Sequence, residues 1–175
     1  VENMLEEEDL DAVIMPIVET ARGIQNVEAI AGASDAVVAL AFGAEDYSAD
    51  VCGKRSWDAL LYPRSRLVVA ARSCDVQPLD TIYPDVNDAV GLREETMRIV
   101  EMGFDGKGAI HPSQLPVIHA CFTPTPEEIQ EARDVIAAVE EARRKGLGSA
   151  SLHGKMIDLP VEKRARRILR RAGVE

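Results

Sequence analysis

The chain has 175 residues, 46% of them hydrophobic and 29% charged, which is the composition of a globular protein and a length for one domain or a piece of a larger one. A net charge of −10 argues against a nucleic-acid partner, since phosphate binding needs clustered cations. No apolar run reaches the roughly 18 residues of a membrane span, so no membrane partner is expected.

The first residues, Val1-Glu2-Asn3-Met4-Leu5, lack the basic and apolar regions of a signal peptide. A first residue other than methionine points to processing or truncation. The three cysteines, Cys52, Cys74 and Cys121, show neither CxxC nor CxxH spacing, so neither a zinc knuckle nor a redox motif is expected. Their sparse, odd count suits a cytoplasmic location. Cys74 and Cys121 lie among apolar neighbours and read as buried small hydrophobes.

Along the chain, short apolar runs alternate with amphipathic stretches. Residues 12–18 (AVIMPIV) read as a buried strand and residues 21–33 as a helix with Ile24, Val27 and Ile30 on one face. Residues 35–43 (DAVVALAFG) predict a second buried strand. Residues 56–74 predict a helix, 78–83 a third strand, 87–102 a helix with an Asn or Asp cap, 108–110 a fourth, short strand, and 112–122 a short helix. Continuously apolar strands alternating with helices imply a parallel sheet covered by helices. About four βα units are present, half of what an eight-stranded barrel needs.

After Thr123 the pattern changes. Thr125-Pro126-Glu127-Glu128 is a helix start, with a Thr cap, Pro at the first position and acids in the first turn. Ile129, Ala132, Ile136, Val139 and Ala142 mark one face of that helix. Residues 146–150 (GLGSA) read as a flexible turn, 151–159 as a hairpin turning at His153-Gly154, and Pro160 opens a last helix. Residues 163–171 of that helix are strongly basic. They read as a solvated face with cations placed for the helix dipole, or as a patch for cofactor phosphates or an acidic neighbouring subunit. The expected division is a partial barrel over residues 1–123 and a helix–hairpin–helix extension over 124–175.

In parallel α/β folds reactive groups gather at the carboxyl ends of strands. That rule selects Glu19 and Thr20, then Gly43-Ala44-Glu45-Asp46, then Asp80 with Tyr83-Pro84-Asp85, then His111-Pro112. Glu19 and Asp46 at neighbouring strand ends suit Mg²⁺, which takes hard oxygens from one or two carboxylates with water and substrate completing its shell. From position alone a helix-capping role for each stands equally. Gly43 would let backbone N–H groups approach a bound carboxylate.

His111 reads as a cleft-shaping residue, with direct acid/base chemistry as the alternative. Lys107 reads either as a phosphate contact or as an exposed turn lysine. Asp80 reads as a hydrogen-bond acceptor behind the site rather than lining it. His119 and His153 have no metal-ligand spacing. Arg22 opposes the dipole of its helix and hints at a bound anion or a salt bridge.

Ile17-Val18-Glu19-Thr20-Ala21-Arg22-Gly23 followed by Ala41-Phe42-Gly43-Ala44-Glu45-Asp46 resembles the citrate lyase beta-subunit/malyl-CoA lyase family, related to the HpcH/HpaI aldolases. Three more blocks resemble it in the same order: 79–83 (LDTIY), 103–112 (GFDGKGAIHP) and 153–160 (HGKMIDLP). The resemblance implies the C-terminal half of a (β/α)₈ barrel with a helical extension, assembled as a homotrimer or homohexamer. It implies a Mg²⁺-dependent carbon–carbon lyase that splits a citryl, malyl or citramalyl thioester of CoA or acyl carrier protein into an acyl thioester and a 2-oxoacid (oxaloacetate, glyoxylate or pyruvate).

Carried over residue by residue, Glu19 and Asp46 are the metal ligands. Gly43, Ala44 and the Asp46 amide hold the oxoacid carboxylate. Ile110, His111 and Pro112 belong to the thioester cleft. Asp158 is the acid delivered to a neighbouring subunit's site. The family's first four βα units have no counterpart here, and with them go the arginine for the thioester-side substrate and a lysine-bearing strand. This leaves a non-catalytic half-barrel, acting in assembly or thioester binding, and a malyl-CoA thioesterase as alternative readings.

Overall fold

The structure is a computed structural model that describes residues 2–8, 10–147 and 149–174. Val1, and Gly148 of the expected flexible turn, lie outside the described residues. The chain divides into two compact units, Val1–Cys121 and Phe122–Glu175.

The first unit is an α/β layer built on a four-stranded parallel sheet in the order β1-β2-β3-β4: β1 (Ile17–Val18), β2 (Ala39–Phe42), β3 (Gln77–Asp80) and β4 (Gly106–Lys107). An isolated parallel bridge, Ile14 to Val37, extends the β1–β2 pairing toward the N-terminus. The register pairs Val18 with Phe42, Ala41 with Leu79 and Asp80 with Lys107. All four carboxyl ends therefore fall along one side of the sheet, and the residues that follow each strand become neighbours.

Around the sheet lie α1 (Glu2–Glu7), α2 (Ala21–Gln25), α3 (Val27–Ala31), α4 (Ala44–Asp50), α5 (Trp57–Ser73), α6 (Ala89–Met102) and α7 (Leu115–Phe122). The start of α5 is fixed by Ser56, whose hydroxyl accepts from the Ala59 amide, and that of α6 by Asp88, which accepts from Gly91. Gly103 ends α6 at φ 102°, a left-handed cap that glycine adopts at little cost. Leu40, Leu67 and Ile99, from β2, α5 and α6, are fully buried.

Several local expectations are revised. The helix predicted over 21–33 is broken at Asn26, whose Nδ2 donates to the Arg22 carbonyl at 2.8 Å and so competes with the helical ladder. The strand predicted at 108–110 is displaced to Gly106–Lys107. Its side chain at 107 faces buried charge rather than apolar core, and the Ile110 amide is taken by Gln114 Oε1 at 3.0 Å. Helix α4 lies at Ala44–Asp50, where no element is predicted from the sequence.

The run at 12–18 is not buried throughout. Val13, Met15 and Ile17 are 67%, 50% and 59% exposed, because β1 is an edge strand with one face uncovered. Cys121 is buried as expected, while Cys74 is half-buried.

The second unit packs α8 (Pro126–Arg144) and α9 (Leu159–Arg171) with the antiparallel hairpin β5 (Ala150–Leu152) and β6 (Lys155–Ile157). Val135, Val139, Ile157 and Leu169 belong to its core. The α8 start is a full capping box: Thr125 Oγ1 accepts from Glu128 N, and Glu128 Oε2 accepts from Thr125 N. Among the described residues no helix is long and apolar enough to cross a membrane.

Candidate functional site

Glu19 follows β1 and is half-buried; Asp46 lies in the first turn of α4 and is exposed. Gly43 joins them. Its amide donates to the Val18 carbonyl at 3.1 Å, continuing the β1–β2 ladder one step beyond Phe42. A Cβ at position 43 would lie 2.6 Å from Glu19 Cβ and 2.8 Å from Glu19 Oε2, so the missing side chain is what lets the Glu19 carboxylate lie across the start of α4. The end of β1 and the start of α4 thus meet closely at Gly43. Among the described residues no group of three or more His, Cys, Asp or Glu side chains is placed to hold a metal. The donor set is a carboxylate pair, which fits a cation whose remaining ligands are water and substrate oxygens.

The backbone donors are shared differently from the motif's implication. Gly43 N is used by Val18, and Ala44 N donates to Thr81 Oγ1 at 3.2 Å. Among the described residues the Glu45 and Asp46 amides are not engaged, so of the three groups the resemblance implies only the Asp46 amide is left free, with Glu45 N beside it. The start of α2 is closed by the fold itself. Ala21 N donates to Asp50 Oδ2 at 2.7 Å, so an acid from α4 takes the first amide of α2. Arg22 is exposed and forms no ion pair among the described residues.

Behind the strand ends is a buried charge cluster. Arg64 grips Asp80 with Nε to Oδ1 at 2.8 Å and Nη2 to Oδ2 at 3.0 Å, and reaches Glu95 at 3.3 Å. Lys107 Nζ donates to Asp80 Oδ2 at 2.9 Å, to Glu95 Oε1 at 2.7 Å and to the Thr81 carbonyl at 2.9 Å. Two cations meet two carboxylates, each making at least one hydrogen bond, while Arg64 Nη1 is buried without one. Burial works against the Arg64 charge, but Asp80 and Glu95 outweigh it and hold its pKa above the ordinary value. Lys107 is thus neither a turn lysine nor exposed, and Asp80 serves as an acceptor for two cations. Arg98 and Arg64 lie over the Trp57 ring, at 3.7 and 4.8 Å from its centroid.

His111 caps a single 3₁₀ turn, Pro112–Gln114, its Nδ1 accepting from the Ser113 amide at 3.2 Å. Ile110 is tied by its amide to buried Gln114, whose Nε2 donates to the Tyr83 carbonyl at 2.8 Å. The stretch Ile110-His111-Pro112 is therefore held in shape by Gln114, a residue the sequence gives no reason to single out. Tyr83 donates to Asp88 Oδ2 at 2.6 Å; that bond, with burial, pushes its pKa up to about 12, and the same bond holds Asp88 below the usual carboxylate range.

In the second unit Asp158 is exposed and caps α9, with Oδ1 accepting from Val161 N at 3.1 Å. His119 and His153 are exposed.

The family described as HpcH/HpaI aldolase/citrate lyase matches residues 3–112. The citrate lyase subunit beta of Escherichia coli (strain K12) is 42% identical over 161 residues, covering 91% of this chain and 53% of that protein. The mitochondrial citramalyl-CoA lyase of Mus musculus is 38% identical over 169 residues, covering 89% and 49%. The chain thus spans about half the length of the curated relatives it matches. The crystal structure of CitE from Mycobacterium tuberculosis in complex with magnesium, acetoacetate and coenzyme A is 36% identical, with a TM-score of 0.78 over 95% of this chain and 63% of that one. The chain belongs to the HpcH/HpaI aldolase/citrate lyase family.

Proposed function

We propose that this chain is the C-terminal half of a (β/α)₈-barrel carbon–carbon lyase, with residues 1–123 forming the second half of the barrel and 124–175 the extension. The observation that carries the reading is the Gly43 cradle, which sets the Glu19 carboxylate against the helix start bearing Asp46. The uncovered face and open edge of β1 support a sheet that continues into further strands.

Glu19 and Asp46 would hold Mg²⁺, a hard cation suited to two carboxylates. When bound, the ion supplies Lewis-acid stabilisation for charge developing on a substrate oxygen. The free amides at Asp46 and Glu45, beside Gly43 and Ala44, suit the carboxylate of a 2-oxoacid such as oxaloacetate, glyoxylate or pyruvate. The Ile110-His111-Pro112 stretch, stiffened by Gln114, lines the cleft for a CoA or carrier-protein thioester.

Cleavage breaks the bond between the hydroxyl-bearing carbon and the carbon next to the thioester. The hydroxyl loses its proton to solvent and becomes the oxoacid carbonyl, the bonding pair passes to the thioester as an enolate, and the enolate carbon takes up a proton. Asp158 is the group that exchanges that proton. One of its oxygens serves the α9 cap, which fixes its orientation, and the other is free for chemistry. In this reading the extension of one subunit carries Asp158 to the site of another in a homotrimer or homohexamer in the cytoplasm.

The test is a coupled assay of the intact protein on citryl, malyl and citramalyl thioesters. Mg²⁺-dependent release of a 2-oxoacid with an acyl thioester is the expected result. Release of free CoA with an intact hydroxyacid would overturn it in favour of a thioesterase.

A further inference from the structure

Resting on the two-carboxylate reading above, we propose that Thr81 and Arg55 are positioning residues that latch the Asp46-bearing start of α4 to the end of β3. Two independent contacts define the latch. Ala44, the first residue of α4 and fully buried, donates its amide to Thr81 Oγ1 at 3.2 Å, and Thr81 is itself only 4% exposed. One residue further on, Glu45 Oε1 lies 2.6 Å from Arg55 Nε, a charge contact without hydrogen-bond alignment, while Arg55 Nη2 donates to the Ile82 carbonyl at 2.6 Å. Both contacts join the first turn of α4 to residues 81–82.

That segment is anchored in turn. Lys107 Nζ holds the Thr81 carbonyl at 2.9 Å, and Gly108 N donates to the Asp80 carbonyl at 2.9 Å. The Arg64–Asp80–Lys107–Glu95 cluster fixes the residue before it.

The geometry gives the latch a purpose. On one flank, Glu19 presses against Gly43 with no room for a side chain, so it sets how close the helix start can come. On the other flank its first turn is tied to residues 81–82 by Thr81 and Arg55. Helix α4 is only seven residues long, so its own ladder does little to fix the direction of Asp46. These contacts let the β3 side help set the separation of the two carboxylates. Groups that orient a metal ligand from behind are typically worth tenfold to a hundredfold in metal affinity. The Thr81 hydroxyl is the more decisive of the two, because it is buried and bonds to backbone, whereas the Glu45 end of the Arg55 contact is 57% exposed.

The test is Mn²⁺ affinity of the intact protein, followed as free Mn²⁺ by electron paramagnetic resonance, in Thr81→Val, Thr81→Ser and Glu19→Gln. Thr81→Val is expected to weaken binding on the order of tenfold, with Thr81→Ser restoring it. If valine does not fold, Thr81→Ala removes the same hydroxyl and carries the same expectation. Amide exchange of residues 44–47 in the metal-free protein should rise in the valine or alanine variant and not in the serine one. Parent-like Mn²⁺ binding in Thr81→Val, beside a loss in Glu19→Gln, overturns the latch alone. Parent-like binding in Glu19→Gln overturns the carboxylate pair, and the latch with it.

Discussion

At position 43 any Cβ would press on the Cβ of Glu19, an atom that no rotamer change can move. Relief would require β1 and the start of α4 to separate, and with them the two carboxylates. Gly43→Ala is therefore expected to fold and to lose oxoacid binding on the order of a hundredfold, as misplacement by about 1 Å does in other sites. Calorimetric titration of the variant with Mg²⁺ and oxaloacetate reads the effect directly.

Lys107 makes a different kind of prediction. Lys107→Met would leave Asp80 and Glu95 sharing Arg64, with a buried carboxylate oxygen and the Thr81 carbonyl stripped of a donor. A loss of about 3–5 kcal/mol in urea unfolding is expected. Glu19, Gly43 and Asp46 are singled out by the sequence because they sit at strand ends within short, recognisable blocks. Thr81, Arg55 and Glu95 are not. Their partners lie elsewhere in the chain, 37 residues away for Ala44 and Thr81, and only the β-sheet register brings them together.

At the scale of single elements, local chemistry is what the sequence displays well. The Thr125 capping box is written in four consecutive residues and is formed as written. Thr125→Ala should cost about 1 kcal/mol of stability in the second unit, measured by thermal unfolding. The hairpin turn at His153-Gly154 also reads directly, both residues adopting positive φ (50° and 77°) as a tight two-residue turn needs. Where side chains compete with the backbone the reading fails, as at Asn26, or at β4, whose residues are chosen for the charge cluster rather than for an apolar core.

Helix α9 adds a pH dependence. Glu162, 6% exposed, accepts from Arg166 and Arg143, and these partners outweigh burial and hold its pKa below the ordinary 4.5. A carboxylate depressed in the folded state contributes stability that is present above its unfolded pKa and fades as pH falls through the folded one. The second unit should thus lose stability below about pH 4.5, and Glu162→Gln should flatten that part of the profile, as followed by circular dichroism.

For the whole molecule, the decisive feature is a parallel sheet with β1 and β4 at its edges and apolar side chains uncovered along residues 13–17. Open edges of this kind pair with other strands unless something covers them. The 175 residues expressed alone are expected to self-associate, and light scattering showing a monodisperse monomer would contradict the half-barrel reading. The parallel α/β architecture is legible from strand–helix alternation; the exposure of one face of β1 is not, since a continuous apolar run looks the same whether or not its covering layer is present.

The central claim is that Glu19 and Asp46 form a magnesium site that captures a 2-oxoacid, and calorimetric titration of the intact protein with oxaloacetate or glyoxylate, with and without Mg²⁺, tests it most directly. Binding that requires Mg²⁺ and disappears in Glu19→Gln is the predicted result; binding that ignores the metal, or survives unchanged in Glu19→Gln, would contradict it.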